Sequence, residues 1–207
     1  MQIKFTKDFP IADLTHSSWT KADEVSIEKY WSGKTAPIGR HFKTQILWSD
    51  SALYVRFEAN QDEPLVISET PNLTSETNAL WERDVCEIFL APNPQEFRKY
   101  FEFEVAPTGE WIDLEIHQMP EQRETNFAYE SGMQTVAKIE KDKVWMAFKV
   151  EWVAFGKIPK AGEIWKGNIL RCVGEGETRG YLTWQPTLTP KPNFHVPEKF
   201  GEFEFVD

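Results

Sequence analysis

The chain has 207 residues, 41% of them hydrophobic and 14% aromatic, and carries a net charge of −10. That length suits one all-β domain and is long enough to bury a real core. The acidic balance, with no basic run to offset it, argues against a nucleic-acid partner, whose phosphates need clustered Lys and Arg, and against an anionic membrane surface.

Cys86 and Cys172 are the only cysteines. Two cysteines make neither a disulfide framework nor a zinc site, and Cys86 reads as a buried free thiol. Met1 to Thr6 shows no basic segment leading into an apolar one, and no run approaches the ~18 apolar residues of a membrane span. A soluble chain with a cytoplasmic location is the expectation.

In chain order, Ile3–Phe5 reads as a short strand, and 8–20 as irregular chain around Pro10. Val25–Tyr30 reads as a strand leading into a loop with Gly33, Pro37 and Gly39. Lys43–Trp48 and Ala52–Ala59 form a predicted hairpin around Ser49-Asp50-Ser51. In its second arm Leu53, Val55 and Phe57 share one face and Tyr54, Arg56 and Glu58 the other, the pattern of a half-buried strand. Residues 61–79 make a polar connection whose length points to function. It delivers Trp81 to the start of Val85–Leu90, a short apolar run that reads as a buried strand. Asp84 at its entrance and Glu87 inside it break the pattern, because a carboxylate there is costly unless it is paired or faces a polar cleft.

Pro92-Asn93-Pro94 forces a turn, and Gln95–Lys99 reads as a helical turn. Phe101, Phe103 and Val105 share a strand face, with Glu102 and Glu104 behind. Pro107-Thr108-Gly109-Glu110 is a turn signal. In Trp111–His117, Ile112, Leu114 and Ile116 face one way and Asp113 and Glu115 the other. Residues 119–132 read as polar connection, and Met133–Glu140 with Val144–Trp152 as a hairpin. Ile164–Val173 is a further strand, 174–180 a glycine-rich loop, Tyr181–Gln185 short and β-like, and Phe203–Val206 a last strand. Many short strands and almost no helical periodicity predict an antiparallel β-sandwich as a single domain over residues 1–207.

Glu102, Glu104, Asp113 and Glu115 alternate on adjacent strands, so they are expected on one shared, solvated face, offset by Arg56 or Lys149. The sharper reading of that set is calcium, which takes several oxygen ligands, although no loop has the acidic spacing of a calcium motif. His16, His41, His117 and His195 are scattered without metal-ligand spacing. No nucleophile elbow, phosphate loop or dinucleotide fingerprint is present, so an enzyme is hard to build from this chain. Aromatic residues remain: flat rings cover the C–H face of a sugar while carboxylates, amides and Arg satisfy its hydroxyls. Trp81, beside Glu82, Arg83, Asp84 and Glu87, has that setting, and Trp184-Gln185 precedes a loop carrying Asn193, Phe194 and His195.

Several segments, in order and spacing, resemble carbohydrate-binding module family 9 and its DOMON-like relatives. They are Leu47-Trp48-Ser49-Asp50 with Leu53-Tyr54-Val55, then Trp81 to Phe89, Tyr100-Phe101-Glu102-Phe103, Trp184-Gln185-Pro186 and Pro197 to Gly201. The resemblance implies a jelly-roll-like β-sandwich in which two aromatic residues clamp a terminal sugar. The first matches Trp81, and the second position falls on Phe194, with His195 beside it. Glu87 matches the strand acid that accepts from sugar hydroxyls. Where members that grip the reducing end carry Arg and Asn, this chain has Glu104 and Ala106; a later amide position falls near Leu170 and Arg171, where Arg171 would replace part of the network.

The resemblance thus implies non-catalytic binding of a β-linked plant-type oligosaccharide or polysaccharide such as xylan or cellulose, or of its terminal sugar. Trp81 and Phe194 would stack, and Arg83, Glu87, Arg171, Asn193 and His195 would complete the site. No cofactor is expected, with calcium held open and no metal ligands assigned. Three alternatives stand beside it. One is a haem-binding DOMON-like domain, with Met119 and either His117 or His195 as axial ligands; another is a sugar-active hydrolase or lyase using Glu82, Asp84 or Glu87; the last is an interaction sandwich in which Trp81 is core.

Overall fold

Period-2 alternation dominates this chain, and its elements follow that period. The computed structural model describes all 207 residues. It holds thirteen strands and no α-helix. They are β1 (Gln2–Phe5), β2 (Glu24–Ile27), β3 (Phe42–Trp48), β4 (Ala52–Asn60), β5 (Val85–Ala91), β6 (Lys99–Val105), β7 (Trp111–Gln118), β8 (Arg123–Asn126), β9 (Gln134–Ile139), β10 (Lys143–Glu151), β11 (Ile164–Val173), β12 (Gly180–Thr183) and β13 (Gly201–Val206).

The order across the curled sheet is β8-β7-β6-β5-β11-β13-β1-β3-β4-β10-β9, with β12 on β11 and β2 on β3. Its two ends fold over each other as the layers of a sandwich. The front layer runs from β8 to β13, and the back layer from β3 to β9. Phe103 of β6 meets Phe148 of β10 at a centroid separation of 5.8 Å, and Trp165 of β11 meets Trp152 just beyond β10 at 6.0 Å. Pairing is antiparallel except at β1, which runs parallel to both β13 and β3 and joins the layers. β11 approaches β5 so closely that Gly167 has no room for a side chain: a Cβ there would lie 1.8 Å from the Phe89 carbonyl oxygen.

The structure corrects four expectations. Residues 119–132 contain β8, an all-polar edge strand paired only with β7, so alternation could not reveal it. Gln95–Lys99 is a turn, not helical, and Lys99 already belongs to β6. Tyr54 is fully buried as well as the opposite face of β4, because residues 9–19 cover it with Phe9, Ile11 and Trp19. Its hydroxyl donates to Asp8 at 3.0 Å, as do Ser49 and Ser51.

The fourth correction matters most. The four carboxylates do not share a face. Five residues, 106–110, connect Val105 to its partner Trp111, so even positions pair with even ones: Glu102 with Leu114 and Glu104 with Ile112. Turn length alone decides which face a strand's side chains take. Asp113 faces the other way, buried, accepting from Ser131 Oγ at 2.6 Å. Glu102 and Glu104 are buried too, and neither Arg56 nor Lys149 offsets them.

Candidate functional site

The outer face of the front layer carries the second apolar cluster: Val85 and Phe89 of β5, Tyr100 of β6, Ile112, Leu114 and Ile116 of β7, and Leu170 and Cys172 of β11. Three carboxyls, Glu87, Glu102 and Glu104, point to this same face. The turns at 79–84, 174–180 and 192–195, together with β8, rise around it and enclose a cleft of about 490 Å³. That volume is in the range of small-molecule sites.

Trp81 sits in a single 3-10 turn, Leu80–Glu82, entered through Ala79 in the left-handed region (φ 58°), which L-residues rarely adopt. Leu80 is buried beneath it, and Trp81 is half-buried against the apolar cluster. Arg179 fixes the turn from outside. Its Nη2 donates to the Trp81 carbonyl at 2.6 Å and to the Arg83 carbonyl at 2.8 Å, and its Nη1 to the Gly174 carbonyl at 2.7 Å. Asp84 locks the same two loops, accepting from the Gly174 N–H at 2.7 Å and the Val66 N–H at 3.2 Å. Burial pushes its carboxyl upward, against those two backbone donors.

On the other wall Phe194 packs edge-on to Tyr181 at 5.9 Å and leaves 8% of its surface exposed. The His195 ring stacks on Phe89 at 5.1 Å, and its Nδ1 lies 2.8 Å from the Tyr100 hydroxyl. Burial, with a contribution from the Arg123 charge, pushes His195 down to about 3, so the ring is neutral at pH 7. The His195 N–H donates to Asn193 Oδ1 at 3.0 Å, which turns the loop and holds the amide at the cleft.

The floor is acidic. Glu87, Glu102 and Glu104 expose 2%, 3% and 0% of their surfaces. Burial, then the Glu102 charge, pushes Glu87 up to about 8. Burial pushes Glu102 up to about 7, and Glu104, pressed by burial and by both neighbours, stands well above the usual carboxylate range. Outside the trio, only Glu87 has a hydrogen-bond partner, the Cys172 thiol at 3.4 Å.

Of the residues singled out from sequence, Trp81, Glu87, Asn193, Phe194 and His195 line this one cleft. Two do not. Arg83 turns away to Glu110, at 3.2 Å. Arg171 lies on the core side of β11, 2% exposed, its guanidinium donating to the carbonyls of Arg40 and Asn60 and to Gln61 Oε1. It is a structural brace between loops, and the cleft side of β11 belongs to Leu170 and Cys172. Arg179, Arg123 and Tyr181 line the cleft although none was singled out, the glycine-rich loop before Arg179 being the one available signal, and Glu102, noted in the sequence only as one of four alternating acids, lines it too. Neither His117 nor Met119 lines the cleft that holds His195. Glu82 lines the cleft, whereas Asp84 is taken up by Gly174 and Val66.

Comparison with known proteins places this cleft in context. A family model described as "Carbohydrate family 9 binding domain-like" matches residues 13–207. No curated protein matches the chain in a sequence search. Among solved structures, a suspected carbohydrate-binding protein from Bacteroides uniformis ATCC 8492 superposes with a TM-score of 0.77 at 15% identity, covering 99% of this chain and 98% of its own. A family 9 carbohydrate-binding module from Caldicellulosiruptor kristjanssonii, in complex with cellotriose, gives 0.68 at 17% identity, covering 100% of this chain and 94% of its own. The complex of a module from that organism with glucose gives 0.67 at 17%, covering 99% and 95%. At these identities the structures bear on the fold, and they share its β-sandwich. With the model matched along nearly its whole length, the chain belongs to the carbohydrate family 9 binding domain-like family.

Proposed function

We propose that the cleft seats a sugar ring, the terminal unit of a β-linked glucan or related plant-type saccharide, as a non-catalytic binding site. One observation carries the reading: an indole and a second aromatic wall, Trp81 and Phe194 with Tyr181, converge over a floor of buried polar groups. Apolar walls with a few placed polar groups are what a saccharide needs, since its C–H faces are apolar and its edge is lined with hydroxyls. Trp81 covers the ring face, Phe194 presents an edge, and Glu87, Asn193 and His195 meet the hydroxyls. Arg179 holds the Trp81 turn in place with three of its five N–H donors. The ligands of the related modules, cellotriose and glucose, support the choice of saccharide.

Titrating glucose, cellotriose and xylotriose while following tryptophan fluorescence tests it. We expect a saturable change in the wild type. In Trp81→Ala it should weaken at least tenfold, about 1.4 kcal/mol, with the circular dichroism spectrum unchanged. A flat response to the whole panel from folded wild-type protein would refute the reading.

A further inference from the structure

Three buried acids, none of them in a salt bridge, are an unusual thing to place under a binding cleft. Glu87 on β5 and Glu104 on β6 are register partners, and Glu102 is two residues along β6 on the same face. One oxygen from each carboxyl lies within 4.8 Å of those of the other two. Neither oxygen of Glu104 has a hydrogen-bond partner, nor does Glu102 Oε2. Their register neighbours are apolar: Ile112 beside Glu104, Leu114 and Phe89 beside Glu102, Leu170 beside Glu87. Arg179 and Arg123 line the same cleft, but neither forms an ion pair with the trio, and Arg179 directs three of its five N–H donors to backbone carbonyls.

Buried polar groups are normally satisfied, and a buried charge is normally paired or bound to a metal. Protonation would quiet the charge and give a carboxyl one O–H to share with its neighbour, but one such proton does not supply donors for all the buried oxygens of the trio. A calcium ion takes oxygens at about 2.3–2.6 Å, so two oxygens on one ion lie at most roughly 5 Å apart. The trio meets that limit. Three protein carboxyls leave several of the six to eight positions such an ion fills. Glu87 and Glu102 border the cleft, so those positions open toward it.

We propose that Glu87, Glu102 and Glu104 bind one calcium ion at the floor of the cleft, and that a pair of adjacent hydroxyls of the seated sugar completes its coordination. The second half rests on the saccharide reading; the first does not. Glu104 is then a ligand buried behind the other two. The amide of Glu104→Gln keeps its shape but removes a charge.

The experiment uses the whole chain, stripped with EDTA and passed over chelating resin. Calcium chloride is titrated by isothermal calorimetry, with magnesium chloride in parallel, and thermal unfolding is recorded with and without each ion. The expected result is one saturable calcium site per chain, a rise in Tm with calcium, and weaker binding of magnesium, which demands shorter and more regular geometry. Glu104→Gln and Glu102→Gln should each weaken calcium binding at least tenfold, and in EDTA neither should melt below the wild type. Absence of saturable calcium binding, or unchanged affinity in both variants, would overturn the site. Cellotriose titrations with EDTA and with calcium test the bridge. Tighter sugar binding in calcium supports it, and equal affinity in both conditions rejects it while the ion site stands. Calcium binding with no sugar bound in either condition would overturn the saccharide reading and leave the cation site intact.

Discussion

Arg171→Met separates a brace from a ligand. The wild-type guanidinium donates 2.8 Å hydrogen bonds to the Arg40 and Asn60 carbonyls and a 2.5 Å bond to Gln61 Oε1. It does so from a site where 2% of the residue is exposed, so water does not replace the lost donors. Methionine restores the stem but leaves three acceptors unpaired. Each costs about 1–3 kcal/mol. Partial relaxation brings the sum to roughly 3–5 kcal/mol, the range for breaking a buried charged network. For a domain of this size that is a fall in Tm of roughly 6–20 °C. Thermal unfolding by circular dichroism reads the fall, and cellotriose titration well below the variant's Tm reads the site. Affinity should be within twofold of the wild type. An unchanged Tm combined with lost sugar binding would refute the reasoning and return Arg171 to the ligand network.

Two further variants test the fold and the cleft wall. Gly167→Ala sets a methyl 1.8 Å from the Phe89 carbonyl oxygen and 2.8 Å from the Phe203 ring; β5 and β11 must separate, and a loss above about 4 kcal/mol is expected, seen as insoluble expression or a urea midpoint far below the wild type, whereas a near-native midpoint would contradict the described approach. His195, whose folded value of about 3 lies below its ordinary 6.5, contributes stability that is complete above pH 6.5 and is lost as pH falls from there toward 3. His195→Gln removes that contribution, so its urea stability should decline less steeply than the wild type's between pH 6.5 and 4, the gap growing by at most about 1.4 kcal/mol per pH unit; parallel curves would show the ring is not held neutral.

Much of the sandwich was legible because alternation is a direct imprint of a layered core. Leu53, Val55 and Phe57 of β4 and Val144, Met146, Phe148 and Val150 of β10 all face the core as their spacing indicates. β8 was not legible, because an edge strand of Arg, Glu, Thr and Asn has no apolar face to alternate. The site divides along the same line. Glu87 stood out as a charge inside an apolar run, and it does face a polar cleft. Arg171 and its neighbours Leu170 and Cys172 differ by one residue, and one residue is a whole face of a strand. Sequence spacing cannot choose between those faces without the register, which here comes from pairing with β5. The carboxylates of β6 and β7 failed for the related reason that a five-residue connection sets their parity. Arg179 lies in a loop, where no period exists, and its role follows from three carbonyls that only the folded chain brings together.

The strand at the seam bears on how the molecule is made. β1 lies between β3 and β13, matching Gln2 to Glu204 on one edge and Phe5 to Trp48 on the other. During synthesis β3 and β4 become available early, but the second edge of β1 has no partner until residues 201–206 leave the ribosome. Closing a loop of that length is slow, and an open strand edge is where nascent chains associate with each other. β13 therefore covers the open edge of β1, and truncation at that strand should show itself in aggregation during expression before it shows itself in binding.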